Sequence, residues 1–459
     1  MKKNSTILSD EQLTILKLIF PLRMQNIKIN KFLKKIRKSD NFVDDKDFIS
    51  PDSRHFDHIE ELAIGEQRVI HAFDYKISTN KTDDCFYQFL SDFYNKNAKK
   101  AEQTKIDFEN LKYIIKKFKV LIFDSGIFFV IFECKSTRKH KMERYFEDVY
   151  NIKRYFKNII ILDLISKIFG IKKKNFYSFD SSQNIYKDGV QTNRFQMFFD
   201  IWVNSNNKVM DESKVDLLAN YCLNRNCVEK ITVDKIVDFQ SRSMFTSNYV
   251  YSSTESCVSI TFENNFNRDL IHATQFAVQQ NLFFDYMLVL HQYYYLHYIA
   301  KKTQNLNINN LNIKNKLDLI LTEFSTLNTK YFYLNVSQFY YVQNIYNSFL
   351  DSYSIKNYIE EVSESIEPLS KILNSKTTTS LDFLIKVLGL TSIAGSLINL
   401  YNFIWEWNNI NDPNYDLNIM KMKFSGSLTV ISIIIFIILI IIRSFSFKQL
   451  INKNKKKKI

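Results

Sequence analysis

Three carboxylates, Glu360, Glu364 and Glu367, recur at i, i+4 and i+7 and so share one face of a helix. Hard divalent cations take carboxylate oxygens, so such a stripe can hold a metal between copies of a chain. The usual fate of such a charged stripe is a solvated helix face, and that is the reading favoured here over a metal site. His55, Asp57 and His58 form a second group, HFDH. Their types suit a metal, but the spacing matches no zinc signature and reads as a surface loop. The five cysteines stand at 85, 134, 222, 227 and 257, with no second close pair beside Cys222 and Cys227 to complete a zinc site. They read as small buried hydrophobes in a reducing compartment.

Other chemistry is excluded by what is missing. The chain holds 7 Gly in 459 residues, with no G-x-G-x-x-G and no G-x-x-x-x-G-K-[ST], which counts against a dinucleotide or P-loop phosphate cradle. G-x-S-x-G and H-E-x-x-H are absent as well. No catalytic residue is assigned, and the chain reads as a protein that is not an enzyme. Its net charge of +14 includes Lys172, Lys173, Lys174 and Arg194, which can attract an anionic ligand or simply face solvent or anionic lipid.

The elements that would position these residues fall into four parts. Residues 1–262 read as an α/β domain. Lys119 to Lys135 is two β-rich runs around Asp124-Ser125-Gly126, a hairpin signal, and Arg194–Asn204 and Cys257–Asn265 read as further strands. Residues 263–380 read as a stalk of long helices: Arg268–Lys302, then Lys314–Leu327, then Ser337–Asn374, with a kink or hinge expected at Pro368. Residues 381–443 read as two transmembrane helices, at about 383–405 and 424–442, joined by an external loop over 406–423. The second is 19 uncharged residues, about 28 Å of helix. Residues 444–459 form a basic tail, which the positive-inside rule places in the cytoplasm. The N-terminus lacks a signal peptide, so both termini are expected inside and the protein in the inner membrane.

The first of these spans carries small and polar residues in stripes. Thr391, Ser392, Gly395, Ser396, Asn399 and Asn402 either line a pore built from several copies or pack one helix on the other. Thr377, Thr378, Thr379 and Ser380 would then stand at the pore mouth, or Ser380 would cap the next helix.

This organisation resembles the CorA family of magnesium transporters and channels, most closely over residues 266–459. The resemblance implies a funnel-shaped homopentamer whose first spans line the pore. The family's Gly-Met-Asn signature is missing; Asn402 and Asn399 stand nearest its place. The chain is also similar to a branch of CorA-like proteins that lack the signature and are encoded beside type III CRISPR systems. That likeness implies a membrane effector of antiviral defence, opened by a conjugate of S-adenosylmethionine and AMP. The alternative is a divergent magnesium transporter. Either way no covalent cofactor is expected. The ligand is Mg2+ or a nucleotide second messenger. The partners are the lipid bilayer, copies of the chain and a small anionic nucleotide, without nucleic acid.

Overall fold

The structure is a computed structural model that describes residues 7–8, 15–25, 28–45, 48, 55–64, 68–76, 113–136, 161–179, 195–204, 219, 222, 242–245, 248–262, 273–306, 313–371, 389 and 395. By compactness the chain divides into Met1–Lys302 with Thr322–Val362, and Thr303–Leu321 with Ser363–Ile459.

The first unit is organised by β2 (Ile15–Met24), whose ten residues are all buried. Leu16, Leu18, Phe20, Leu22 and Met24 join one apolar core. By strand alternation Ile15, Lys17, Ile19, Pro21 and Arg23 face the other way. A strand buried on both faces belongs in the middle of a sheet covered on both sides. β2 pairs along its length with β6 (Ile127–Ser136). Its other edge is shared: β8 (Gln196–Asn204) takes Ile15 to Ile19, and β7 (Phe176–Ser178) takes Leu22 to Met24. Pro21 falls in the gap between those two partners, where the ladder is interrupted and proline is tolerated.

The full order is β3-β4-β5-β6-β2-β8-β11-β10-β9, with β1 (Ile7–Leu8) beside the end of β8. Here β3 is Phe42–Asp44, β4 Ile70–Tyr75, β5 Tyr113–Phe123, β9 Arg242–Phe245, β10 Asn248–Ser252 and β11 Ser256–Phe262. β8 and β11 run parallel; every other pair is antiparallel. The hairpin at Asp124-Ser125-Gly126 is present, and Gly126 takes φ +86°, a conformation that favours glycine.

One face is covered by α1 (Ile29–Arg37) and α3 (Ile161–Phe169), with Phe32 against Phe128, Phe169 and Phe176; α2 spans Asp57–Ile64. The opposite face carries α4 (Phe283–Gln304), entered through a π turn at Ala277–Leu282. α5 (Ile313–Thr326) ends in a second π turn, Leu327–Tyr331, and α6 (Tyr340–Ser352) packs on β9 and β10.

Several expectations are corrected. Among the described residues no helix is long and apolar enough to cross a membrane. That overturns the fold expected here, an α/β domain with a helical stalk and a C-terminal transmembrane hairpin. The inner-membrane, multi-pass location and the membrane-channel and CRISPR-effector assignments that rested on it go too. What is found instead is a large mixed sheet with helices on it. Apolar runs report that a segment is to be buried, not by what. The expected spans 383–405 and 424–442, loop 406–423 and tail 444–459 lie outside the described residues, apart from Gly389 and Gly395, which are helical.

The helix expected over Ser337–Asn374 is two helices, broken at Tyr353–Ser354, where Ser354 takes φ 48°. Pro368, the expected hinge, lies inside the helical stretch 355–371. The phenol of Tyr353 decides the position of the break. It is buried between the hydroxyl of Tyr286 (3.0 Å) and Oε1 of Gln196 (3.1 Å), so the chain must turn there to deliver it.

Candidate ligand-binding site

Helix α4 is largely apolar but carries a few buried polar side chains, and two of them, Asp285 and Gln292, stand seven residues apart on one face. Each holds a loop. Nε2 of His55 donates to Oδ1 of Asp285 at 2.7 Å, with both side chains shut off from solvent. Burial alone would lower the imidazole's pKa; the carboxylate and its hydrogen bond outweigh that and hold it above its ordinary value. Burial likewise raises Asp285, against the pull of His55.

Gln292 serves the second loop. Its Nε2 donates to the carbonyl of Tyr331 (2.9 Å) and to Oη of Tyr346 (3.0 Å), and Oη of Tyr346 donates to the carbonyl of Tyr333 (3.0 Å). Gln343 on α6 completes the fastening: its Oε1 accepts from the amide of Val336 (2.8 Å) and its Nε2 donates to the carbonyl of Leu334 (2.8 Å). The two loops are tied to one another where the amide of Phe56 donates to the carbonyl of Val336 (3.0 Å).

Between them lies an open pocket of about 420 Å³ lined by Phe56, His58, Phe332, Tyr333, Leu334 and Asn335. The His58 ring stacks on Phe56, with centroids 5.6 Å apart at 19°, and Tyr333 flanks it at 6.5 Å. Leu334 is 57% exposed. Aromatic walls, an imidazole and one amide suit a planar ring with polar edge atoms.

A second constellation invites a catalytic reading. The Ser125 hydroxyl, at the hairpin tip, donates to Nε2 of His291 at 2.7 Å. Burial, with Arg23 nearby, lowers His291 to about 3, which makes it a weak base. Asp124, the neighbouring acid, pairs with His71 instead (3.3 Å), and His291 lies flat on Phe123 at 4.0 Å. The contact fastens the hairpin to α4.

A third group is a buried charged seam under the first π turn. Lys17 and Glu133 are cross-strand partners, and Nζ of Lys17 donates to the carbonyl of Gln279 (3.3 Å) and sits 3.7 Å from the Phe283 ring centre. Asp200 accepts from the indole of Trp202 (3.0 Å) and the amide of Gln279 (3.2 Å). Burial lowers Lys17 to about 8 and raises Asp200 to about 7.

The residues singled out from sequence are scattered. Glu360, Glu364 and Glu367 are exposed, and Glu367 pairs with Lys371 at 2.6 Å. Among the described residues no group of three His, Cys, Asp or Glu side chains is placed to hold a metal. His55 and His58 part company: His58 is exposed, but His55 is buried, which corrects the reading of HFDH as a surface loop. Lys172, Lys173 and Lys174 are exposed around a short 3-10 turn, while Arg194 lies outside the described residues. So do Thr377, Thr378, Thr379, Ser380, Thr391, Ser392, Ser396, Asn399 and Asn402; Gly395 is exposed, with open space where a side chain would stand. Asp285 and Gln292 escaped notice, although two polar residues seven apart in FFDYMLVLHQYYY are a legible signal.

Neither a family model, nor a curated protein, nor a solved structure matches this chain.

Proposed function

We propose that this protein is a ligand-responsive regulator and not an enzyme. Its pocket takes a small molecule with a planar heteroaromatic ring, and occupancy is read out through α4. One observation carries this reading: each wall of the pocket is anchored to the same helix, at Asp285 and at Gln292. A ring inserted between Phe56–His58 and Phe332–Asn335 favours one spacing of those walls. Through the two buried anchors it favours one setting of α4, which is a population shift. The net charge of +14 makes an anionic member of the class, a nucleotide, the first candidate.

Isothermal titration with AMP, with S-adenosylmethionine and with their conjugate tests it, alongside hydrogen exchange over α4. Binding that His58→Ala weakens by about tenfold, together with slower exchange in residues 283–304, is expected. No binding at millimolar concentration, or binding indifferent to His58→Ala, sinks the reading.

A further inference from the structure

Away from the pocket, two buried hydrogen-bond donors have no partner, and they belong to residues directly opposite one another. Arg23 of β2 and Tyr177 of β7 are register partners. Nη1 of Arg23 and Oη of Tyr177 are both buried without a hydrogen bond. Leaving such groups unpaired is costly, and native structures do so rarely. Arg23 is otherwise fully engaged. Its Nη2 donates to Glu323 at 3.2 Å, and its guanidinium lies 3.3 Å from the ring centre of Tyr298. The last turn of α4 lies above. Nζ of Lys301 is 5.0 Å from the ring centre of Tyr177, and Nζ of Lys302 is 4.5 Å from that of Tyr298 while donating to Glu323. Two cations, Arg23 and Lys302, thus share the single carboxylate of Glu323.

We infer that Arg23 and Tyr177, with Lys301 and Lys302 over them, form a binding site for a small oxyanion of the phosphate class. The chemistry is complementary throughout. An N–H and an O–H are each missing an acceptor, a phosphate offers several, and the surplus positive charge wants an anion. Glu323, shared by Arg23 and Lys302, neutralises only one of the two. Access is through the lysines. Lys302 is 29% exposed, and its long, flexible side chain can swing aside. The anion then meets the unpaired guanidinium nitrogen and the phenol below and both ammonium groups above. The site stands independently of the aromatic pocket, sharing no residue with it.

Equilibrium dialysis of the full chain against inorganic phosphate, in chloride buffer of matched ionic strength, tests the inference. The informative variant is Tyr177→Phe, which keeps the ring and deletes only the hydroxyl. If the hydroxyl serves an anion, Tyr177→Phe binds phosphate about tenfold more weakly. It also melts no lower than the parent in anion-free chloride, because nothing in the protein loses a partner. Lys301→Gln weakens binding and flattens its salt dependence. Three outcomes overturn the site: no phosphate retained at millimolar concentration, unchanged binding by Tyr177→Phe, or a lower melting temperature for that variant in chloride. Parallel dialysis with AMP and adenosine separates the sources. Tyr177-sensitive binding of AMP but not adenosine assigns the site to a nucleotide's phosphate. Sensitivity confined to inorganic phosphate assigns it to the free anion.

Discussion

His55 and Asp285 are 230 residues apart in sequence and 2.7 Å apart in space, an ion pair closed off from water between a loop and a helix. A buried pair of this kind contributes little over an apolar pair of the same shape, but removing one member strands the other. Asp285→Ala is therefore expected to cost about 3–5 kcal/mol in urea unfolding. In His55→Leu the stranded carboxylate must be protonated well above its ordinary range, whereas the imidazole stranded by Asp285→Ala need only stay neutral, so the loss in His55→Leu is at least as large. Equal, negligible losses in both variants would show that the pair does not hold the loop.

The seam beneath the π turn sets a pH signature. Asp200 rises from 3.8 to about 7 on folding, so the folded chain binds more protons than the unfolded one between those values. Its contribution is complete below the lower value and is lost as pH climbs through 7. Lys17 falls from 10.5 to about 8. Its contribution is present above 10.5 and is lost as pH drops through 8. Together they place a stability minimum between pH 7 and 8, with limbs worth about 3–5 kcal/mol at most. Urea unfolding across pH should show Asp200→Asn removing the acid limb and Lys17→Met the alkaline one.

Gly126 turns the β5–β6 hairpin with φ +86°, and the nearest atom to an added Cβ is Ile29 Cδ1 at 3.9 Å. Space is ample, so the penalty for a side chain is conformational alone. Gly126→Ala is expected to lower stability by about 1–2 kcal/mol. Gly126→Asn, which tolerates this region better, should cost less than the alanine when both are melted under the same conditions.

Ser354 occupies the left-handed region between α6 and the helical stretch 355–371. Replacing it with glycine relieves that strain while adding freedom to the unfolded chain. The net expected change is a gain of about 0.5 kcal/mol. Ser354→Val should lose stability, because a β-branched residue is poorly accommodated there. A gain with valine would contradict the backbone description.

Cys134, Cys222 and Cys257 are buried. Burial raises the thiol pKa of Cys134 and Cys257 far above the ordinary range. Peptide mapping after iodoacetamide treatment should find these three positions unmodified in the native protein and labelled once urea unfolds it.

Local pattern in the chain determined much of the secondary structure. The turn residues Asp124-Ser125-Gly126 announce a hairpin because glycine reaches the required φ, and the β-branched and aromatic runs ending at Asn204 and Phe262 are strands. Helix α5 is legible from its periodicity. β2, the centre of the sheet, was disguised. Lys17, Pro21 and Arg23 interrupt its apolar run, and only tertiary structure supplies their reasons: Glu133 opposite Lys17, a gap in the ladder at Pro21, Glu323 beside Arg23. The pocket is hidden from sequence for the same cause. Its walls lie hundreds of residues apart, and what joins them, Asp285 and Gln292 on one helix face, is a relation between elements. Periodicity states which side chains are buried. Which partner each one meets follows from how the sheet and helices pack, and no local pattern contains that.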